Sequence, residues 1–488
     1  MSNERVPTGA SVAEFRQRAK VALEDVRLQE ALEGATGRFR TARELALAEL
    51  PGAPALRDHL KEIRAATLAA LAGHLERFEA NAQAAGAHVH WARDAAEARE
   101  IVTEIARTHG VSLATKSKSM ATEEIALNEA LQAAGVEPVE TDLGEWIIQL
   151  AEEPPYHIIA PAIHKTRDQV AALFEAEQGA PLPSDDIPVL TEQARRRLRQ
   201  RFLAAGMGIS GGNIAVAETG SVVLVTNEGN GRMVTSLPPV HVAVIGIEKV
   251  APTWEAAAAW LALLARSATG QPLSIYTSVI SGPARPEDAD GPEEVHIVLL
   301  DNGRSRLLGT KYEEVLQCIR CGACVNICPV YREAGGHAYG SPYSGPIGAV
   351  IAPLLFGLEA YGGLPHASSL CGACLDVCPV RIDLPRMLLD LRADEVETGL
   401  TSRPEQMIEG AAAFILDHER LLAAVRGTLS RLQIPVVAEG RLRIPESLNP
   451  AGKRQLPALA EKSFHQLWAE GIGDVDPADE PADNHGKR

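Results

Sequence analysis

None of the seven cysteines lies outside positions 318–378. An odd count packed into one short window argues against a disulfide framework and for a reducing compartment. Basic residues are also in short supply: 47 Lys and Arg stand against 64 Asp and Glu, a net charge of −17. That balance argues against a nucleic-acid backbone as partner, which would call for a basic stripe. It suits solubility and docking with a basic partner. Long apolar runs are missing. The candidates at Ala256–Ala265 and Ile347–Leu358 fall short of the roughly 18 residues that a membrane span needs. The opening residues MSNERVPTGAS lack the apolar stretch of a secretory signal, so the expected location is the cytoplasm. Aromatic residues amount to only 4%, yet 46% apolar and 23% charged residues make a globular composition. At 488 residues the chain has room for about two to four domains.

Within the cysteine window the first run reads Cys318-x2-Cys321-x2-Cys324-x3-Cys328-Pro329. This spacing wraps a bacterial [4Fe–4S] cluster and sends its last thiolate to a second cluster. A second run, Cys371-x2-Cys374-x3-Cys378-Pro379, repeats it one thiolate short, and CGACVNICPV aligns with CGACLDVCPV as an internal repeat. Two residues between thiolates let one tight turn present several sulfurs to a cubane, and the proline ends that turn. Gly322 and Gly372 allow backbone N–H groups close to the sulfides. Structural zinc is the competing reading, but zinc seldom asks for x2-x2-x3 followed by proline. Projecting the first spacing onto the second places Ser368 where the missing cysteine would stand. A serine hydroxyl must ionise to replace a thiolate. The expected partner of that iron corner is therefore a labile, non-protein ligand, with Ser368 and His366 as protein alternatives.

Around this window the chain falls into regions. Residues 1–85 read as helices, with apolar residues recurring at three and four from Ala13 to Val26 and from Leu56 to Phe78, and Pro51 and Pro54 breaking the run. Their Arg and Glu residues read as a solvated face, with a docking surface as the alternative. From 87 to 305 the texture alternates. Strands are expected at His88–Trp91, Val111–Ala114, Val136–Val139, Ile158–Ala160, Ile214–Ala217, Ser221–Thr226, His241–Ile247, Leu273–Val279 and Val295–Leu300. Helices are expected at Ala95–Ala106, Glu123–Ala134, Asp168–Glu177, Glu192–Phe202 and Thr253–Ala265. This is one α/β domain on a mainly parallel sheet. A two-cluster, α-helical segment follows at 306–400, then a helical region at 401–470 expected to pack on it, and an acidic, disordered tail at 471–488.

Polar patches sit where strands end: TKSKS, ETDLGE, PAIHK, GISGGNIAVAETGS and TNEGNGR. Ligand crevices of open α/β sheets lie at strand carboxyl ends, so these loops are expected to converge on one pocket. Lys116, Lys118, Lys165 and Arg232 are candidates to hold an anion, and Asp142, Glu145, His164 and Glu218 to handle protons. The competing reading makes them ordinary turns and caps.

KSKSM, ETDLGEWIIQL, PAIHK, GGNIAVAETGS and the array CIRCGACVNICPVYREAGGHAYGSPYSGPIG…LCGACLDVCPV together resemble the LutB/LldF family, the iron–sulfur proteins of bacterial L-lactate utilisation. The resemblance runs nearly end to end. It implies an α/β LUD domain, CoA-transferase-like or ribose-phosphate-isomerase-like, with N-terminal helices before it and a ferredoxin-type domain binding two iron–sulfur clusters after it. If the crossed ligation of two-cluster ferredoxins carries over, Cys318, Cys321, Cys324 and Cys378 bind one [4Fe–4S] cluster. Cys328, Cys371 and Cys374 supply three ligands to the other, which would convert to [3Fe–4S] on oxidation. Arg320 and Arg381 beside the ligands are expected to raise the potentials. The implied role is electron transfer in a complex oxidising L-lactate to pyruvate, with a second iron–sulfur subunit and a small LUD-domain subunit as partners. Two other readings stand beside it: an enzyme with acyl- or CoA-transfer-like chemistry in the LUD pocket, Glu218 acting as nucleophile, and a redox-sensing regulator.

Overall fold

The alternating middle of the chain builds two sheets in the computed structural model, which describes residues 9–401, 403–438, 440–443, 456–460 and 462–471. The first sheet takes β1 (His88–Ala92), β2 (Leu113–Lys116), β3 (Glu137–Glu140), β4 (Met207–Gly211), β7 (Val240–Gly246) and β10 (Glu294–Leu300). The second takes β5 (Ile214–Val216), β6 (Ser221–Thr226), β8 (Val250–Ala251) and β9 (Tyr276–Ile280). Strand order in the first is β1-β10-β7-β4-β2-β3, every pair parallel. In the second it is β8-β5-β6-β9, with β5–β6 and β6–β9 antiparallel.

β7 is buried along its whole length, as a central parallel strand with helices on both faces must be. Successive side chains leave on opposite faces. Val242, Val244, Val298 and Leu300 therefore pack with Val102, Ile105, Leu127 and Leu131. Ala243, Ile245, Ile297 and Leu299 join the larger core with Leu263, Leu264 and the N-terminal helices.

Among the described residues, four helices precede the sheet: α1 (Val12–Glu24), α2 (Val26–Ala48), α3 (Ala53–Ala69) and α4 (Leu71–Ala84). Ser11 and Glu14 cap α1 reciprocally, Asp25 caps α2, and Pro54 sits in the first turn of α3, where its missing N–H costs nothing. The helix α5 (Ala95–Thr108) follows β1 under the Asp94 cap.

Three expectations change. Met207–Gly211, read as part of a glycine loop, is a fully buried strand. The spacing Gly206-x-Gly208-x-x-Gly211 resembles a dinucleotide fingerprint but runs along this strand. A Cβ on Gly208 would meet Val234 O at 1.9 Å, so the glycine serves close packing of the helix Asn230–Ser236. The single helix expected at Glu123–Ala134 breaks at Ala126, whose φ is 50°, into Met120–Glu124 and Leu127–Ala133. Ile158–Ala160 is no strand. Its backbone amides at Ile159 and Ala160 donate instead to His157 Nδ1 at 3.0 and 3.2 Å.

The chain divides into two compact units, one ending at Thr398 and one starting at Gly399. The second contains the helices Arg403–Asp417 and Glu419–Leu432, a short antiparallel pair Val437–Ala438 with Arg441–Leu442, and the capped helix Phe464–Ala469. The tail expected after Gly471 lies outside the described residues. Among those described, no helix is long and apolar enough to cross a membrane.

Candidate iron–sulfur site and the adjoining crevice

The cysteine repeat folds the same way twice. Arg320 and Leu370, each just before the second aligned position, take φ of 58° and 54°. Gly322 and Gly372 follow at 75° and 83° and start the short helices Ala323–Ile327 and Ala373–Val377. A left-handed Arg or Leu costs about 1–3 kcal/mol, which the surroundings must impose. Arg320 N donates to Cys318 Sγ at 3.4 Å, and Leu370 N donates to Ser368 Oγ at 3.1 Å. Ser368 thus occupies the missing thiol's place in the same local turn. Cys328 caps the helix Pro329–Ala334 through Tyr331 N at 3.5 Å, and Ile382 N donates to Cys378 Sγ at 3.4 Å.

All seven thiols are free. Burial, then the nearby Cys378 charge, pushes Cys321 up to about 12; burial, then Cys328 and Cys371, pushes Cys374 up to about 12. Cys378 rises to about 11, again through burial, with Cys318 adding to it. The charges that raise the shifted thiols fall into two sets: those on Cys321, Cys324 and Cys378 come from Cys318, Cys321 and Cys378, and those on Cys328 and Cys374 come from Cys371 and Cys328. One influence crosses, from Cys374 to Cys324. The buried thiols Cys321, Cys328, Cys374 and Cys378 need a metal centre to ionise, and the full donor set fits iron–sulfur clusters. Cys371 alone of the seven is exposed, so the three-thiol set opens toward solvent.

Sequence reading missed what surrounds the thiols. Arg57, Lys61 and Arg64 share one face of α3 by their i, i+4, i+7 spacing. Arg57 donates to Cys378 O at 2.6 Å, Lys61 to Arg381 O at 3.1 Å, and Arg64 to Leu316 O at 2.9 Å. From α2, Arg43 donates to Val377 O at 2.7 Å. These cations are a positive wall for the cysteine loops, not a solvated face. Their spacing was the available signal.

On the other side lies a buried ion network built from three strand ends. Arg304, after β10, forks onto Glu124 at 2.8 and 2.7 Å and reaches Glu248, after β7, at 2.6 Å. Tyr343 OH donates to Glu124 at 2.5 Å. Arg320 sits 3.6 Å from Glu248 and 4.8 Å over the Tyr343 ring. Burial alone would raise the Glu248 carboxyl, but Arg304, Lys249 and Arg320 hold it at about 2. Burial and Arg320 push Lys249 down to about 7, and its Nζ donates to Cys318 O at 2.8 Å.

Above this network opens a cavity of about 420 Å³ lined by Lys118, Asp142, Asn213, Glu228 and Glu248, with Ile319 and Arg320 of the first cysteine turn in its wall. The polar loops do not converge on it alone. A second cavity of about 540 Å³ takes Glu145, Glu123, Glu140, Glu153 and His337. Lys116 lines neither cavity; it is buried on Glu140 at 2.6 Å. His164 and Lys165 both hold Glu153, at 2.6 and 2.5 Å. Glu218 accepts from Trp254 N at 2.9 Å at the start of the helix Trp254–Thr269, and Arg232 is exposed; neither lines either of these two cavities. His366 is engaged by Glu395 at 2.7 Å.

Residues 75–300 match the LUD domain and residues 314–382 the 4Fe-4S dicluster domain. The chain is 44% identical over 463 residues to lactate utilization protein B of Shouchella clausii, covering 94% of this chain and 97% of that protein. It is 49% identical to lactate utilization protein B of an Exiguobacterium species, over 78% of this chain and 81% of that one. To the uncharacterized electron transport protein YkgF of Escherichia coli it is 43% identical, over 84% and 86%. With the LUD sheet, the dicluster repeat and relatives matched over 81–97% of their length, the chain belongs to the lactate utilization protein B family.

Proposed function

We propose that this chain is the iron–sulfur electron-transfer subunit of a cytoplasmic complex that oxidises L-lactate to pyruvate. Cys318, Cys321, Cys324 and Cys378 would hold one cluster, and Cys328, Cys371 and Cys374 the other. The observation that carries the reading is the doubled turn, in which a left-handed glycine starts a short cysteine helix twice and seven free thiols gather on the two copies. Bound clusters would supply single-electron storage while lactate oxidation releases a pair. The chain's own residues then have clear tasks. The α3 cations and Arg43 fix the loop carbonyls and offset the negative charge of the thiolates. Arg320, charged near Cys318 and in the cavity wall, would favour the reduced state of a cluster held by the first set.

A second iron–sulfur subunit and a small LUD-domain subunit are the proposed partners. The test is anaerobic purification with them, followed by EPR as L-lactate is added. Reduced-cluster signals should grow with lactate. No change with lactate in the assembled complex would remove the role.

The cavity beside Arg320 favours one alternative, chemistry in the LUD pocket itself. It requires turnover by the isolated chain. Glu218 is poorly placed to be its nucleophile, since it caps a helix outside the cavity.

A further inference from the structure

At the amino ends of β1 and β10, far along the strands from the crevice, four histidines and a glutamate gather. His109, the residue that ends α5, places Nε2 3.2 Å from Glu294 Oε1. His296 Nε2 lies 3.3 Å from Glu294 Oε2, and His88 Nε2 lies 4.0 Å from the same oxygen. Register explains the meeting: His88 is the parallel-strand partner of His296, and their rings stack at 4.9 Å. The ligand atoms of His109, Glu294 and His296 all fall within 4.8 Å of one another.

Tautomers make this grouping informative. His109 Nδ1 bonds to Ile105 O at 2.9 Å, and a carbonyl only accepts, so Nδ1 carries the proton. In the neutral ring Nε2 then presents a lone pair toward Glu294, while in the protonated ring it donates to that carboxylate. His296 is 7% exposed, and its Nε2 is buried without a hydrogen-bond partner. Its Nδ1 is 3.0 Å from His90 Nε2, and with Nδ1 as the donor of that pair Nε2 is free to ligate. A proton on His109 Nε2 would satisfy its own contact to Glu294, but the buried, unpartnered Nε2 of His296 is a donor atom that a metal ion would use. With Zn–N and Zn–O bonds of about 2.0–2.2 Å, tetrahedral ligands stand about 3.3 Å apart, the scale of the two short separations, which reach different Glu294 oxygens and so call for both oxygens or a small turn of the carboxylate.

We propose that His109, Glu294 and His296, completed by His88, bind a divalent ion of the zinc class. Imidazole with a single carboxylate suits zinc and its neighbours rather than calcium or magnesium. The ion would tie the edge strand β1 and the end of α5 to β10, a structural role apart from the cysteine array. The other His–Glu group, Glu153 with His164 and His337, is a weaker case. There Lys165 already neutralises the carboxylate, and His337 Nε2 is spent on Pro154 O at 2.9 Å.

The test uses the anaerobically purified full chain with its clusters, dialysed against buffered Zn2+, with metal content and zinc-edge X-ray absorption as readouts. The expected result is one zinc per chain in addition to iron, in a nitrogen and oxygen shell at about 2.0–2.1 Å without sulfur at about 2.3 Å. His109→Gln and Glu294→Gln, both at the surface, should each lose stoichiometric zinc while keeping iron. His90→Ala should weaken binding about tenfold. No retained zinc, a sulfur shell, or unchanged affinity in the first two variants would overturn the proposal.

Discussion

His157 shows how much one side chain can carry. It accepts from Ile159 N and Ala160 N through Nδ1 and bonds Asn326 Oδ1 at 3.0 Å through Nε2, joining the LUD segment to the first cysteine helix. Burial holds its pKa down at about 4. The unfolded chain, with an ordinary histidine near 6.5, binds the proton more tightly. The contribution is therefore complete above about pH 6.5, falls as the pH drops toward 4, and levels off below, by about 3 kcal/mol in all. Thermal unfolding across that range should show the loss, and His157→Gln should flatten it; an unchanged slope in the variant would remove the assignment. Ser368 is the other telling residue. Its turn copies that of Cys318, but a hydroxyl ligates iron poorly, and Cys371 beside it is exposed. Mild air oxidation should convert the three-cysteine cluster first, seen as a [3Fe–4S] EPR signal. Ser368→Cys should suppress that signal and Ser368→Ala should change little. Loss of the second cluster in Ser368→Ala would make the serine a true ligand.

Among the elements, α3 governs the site without contributing a thiol. Arg64 is 1% exposed, donates to the carbonyls of Glu248, Val250, Leu316 and Gln317, and lies 4.4 Å over the Trp260 ring. Arg64→Met would strand those carbonyls and should cost about 3–5 kcal/mol. Chemical denaturation and cluster retention would report it, and a near-neutral result would return α3 to the role of a solvated helix. Such partnerships explain what was legible. The cysteine array could be read because its spacing is local and chemically narrow. Most strands were legible from their apolar runs, Ser221–Thr226 with its full extent. Arg64 was not, because its partner Gln317 stands 253 positions away. Met207–Gly211 was hidden by glycines that exist for close packing, and Ile158–Ala160 looked like a strand because it is apolar for a different reason. It packs against Gly322, where an added Cβ would meet Ile159 at 2.9 Å.

Across the whole molecule, charge is divided by task. The chain carries −17 overall, yet Arg43, Arg57, Lys61, Arg64, Lys249 and Arg320 gather on the cysteine loops. The carboxyl ends of the parallel strands meet the first cysteine turn through the Arg304 network, so cavity and thiols form one continuous centre. The proposed relay stands or falls on what the two thiol sets hold. Iron and sulfide analysis with Mössbauer spectroscopy of anaerobically purified, 57Fe-enriched protein measures this directly. The account predicts iron and sulfide for two clusters, one with four equivalent thiolate-bound irons and one with a single distinct iron. Zinc bound to sulfur with no sulfide, or only one cluster per chain, would contradict it.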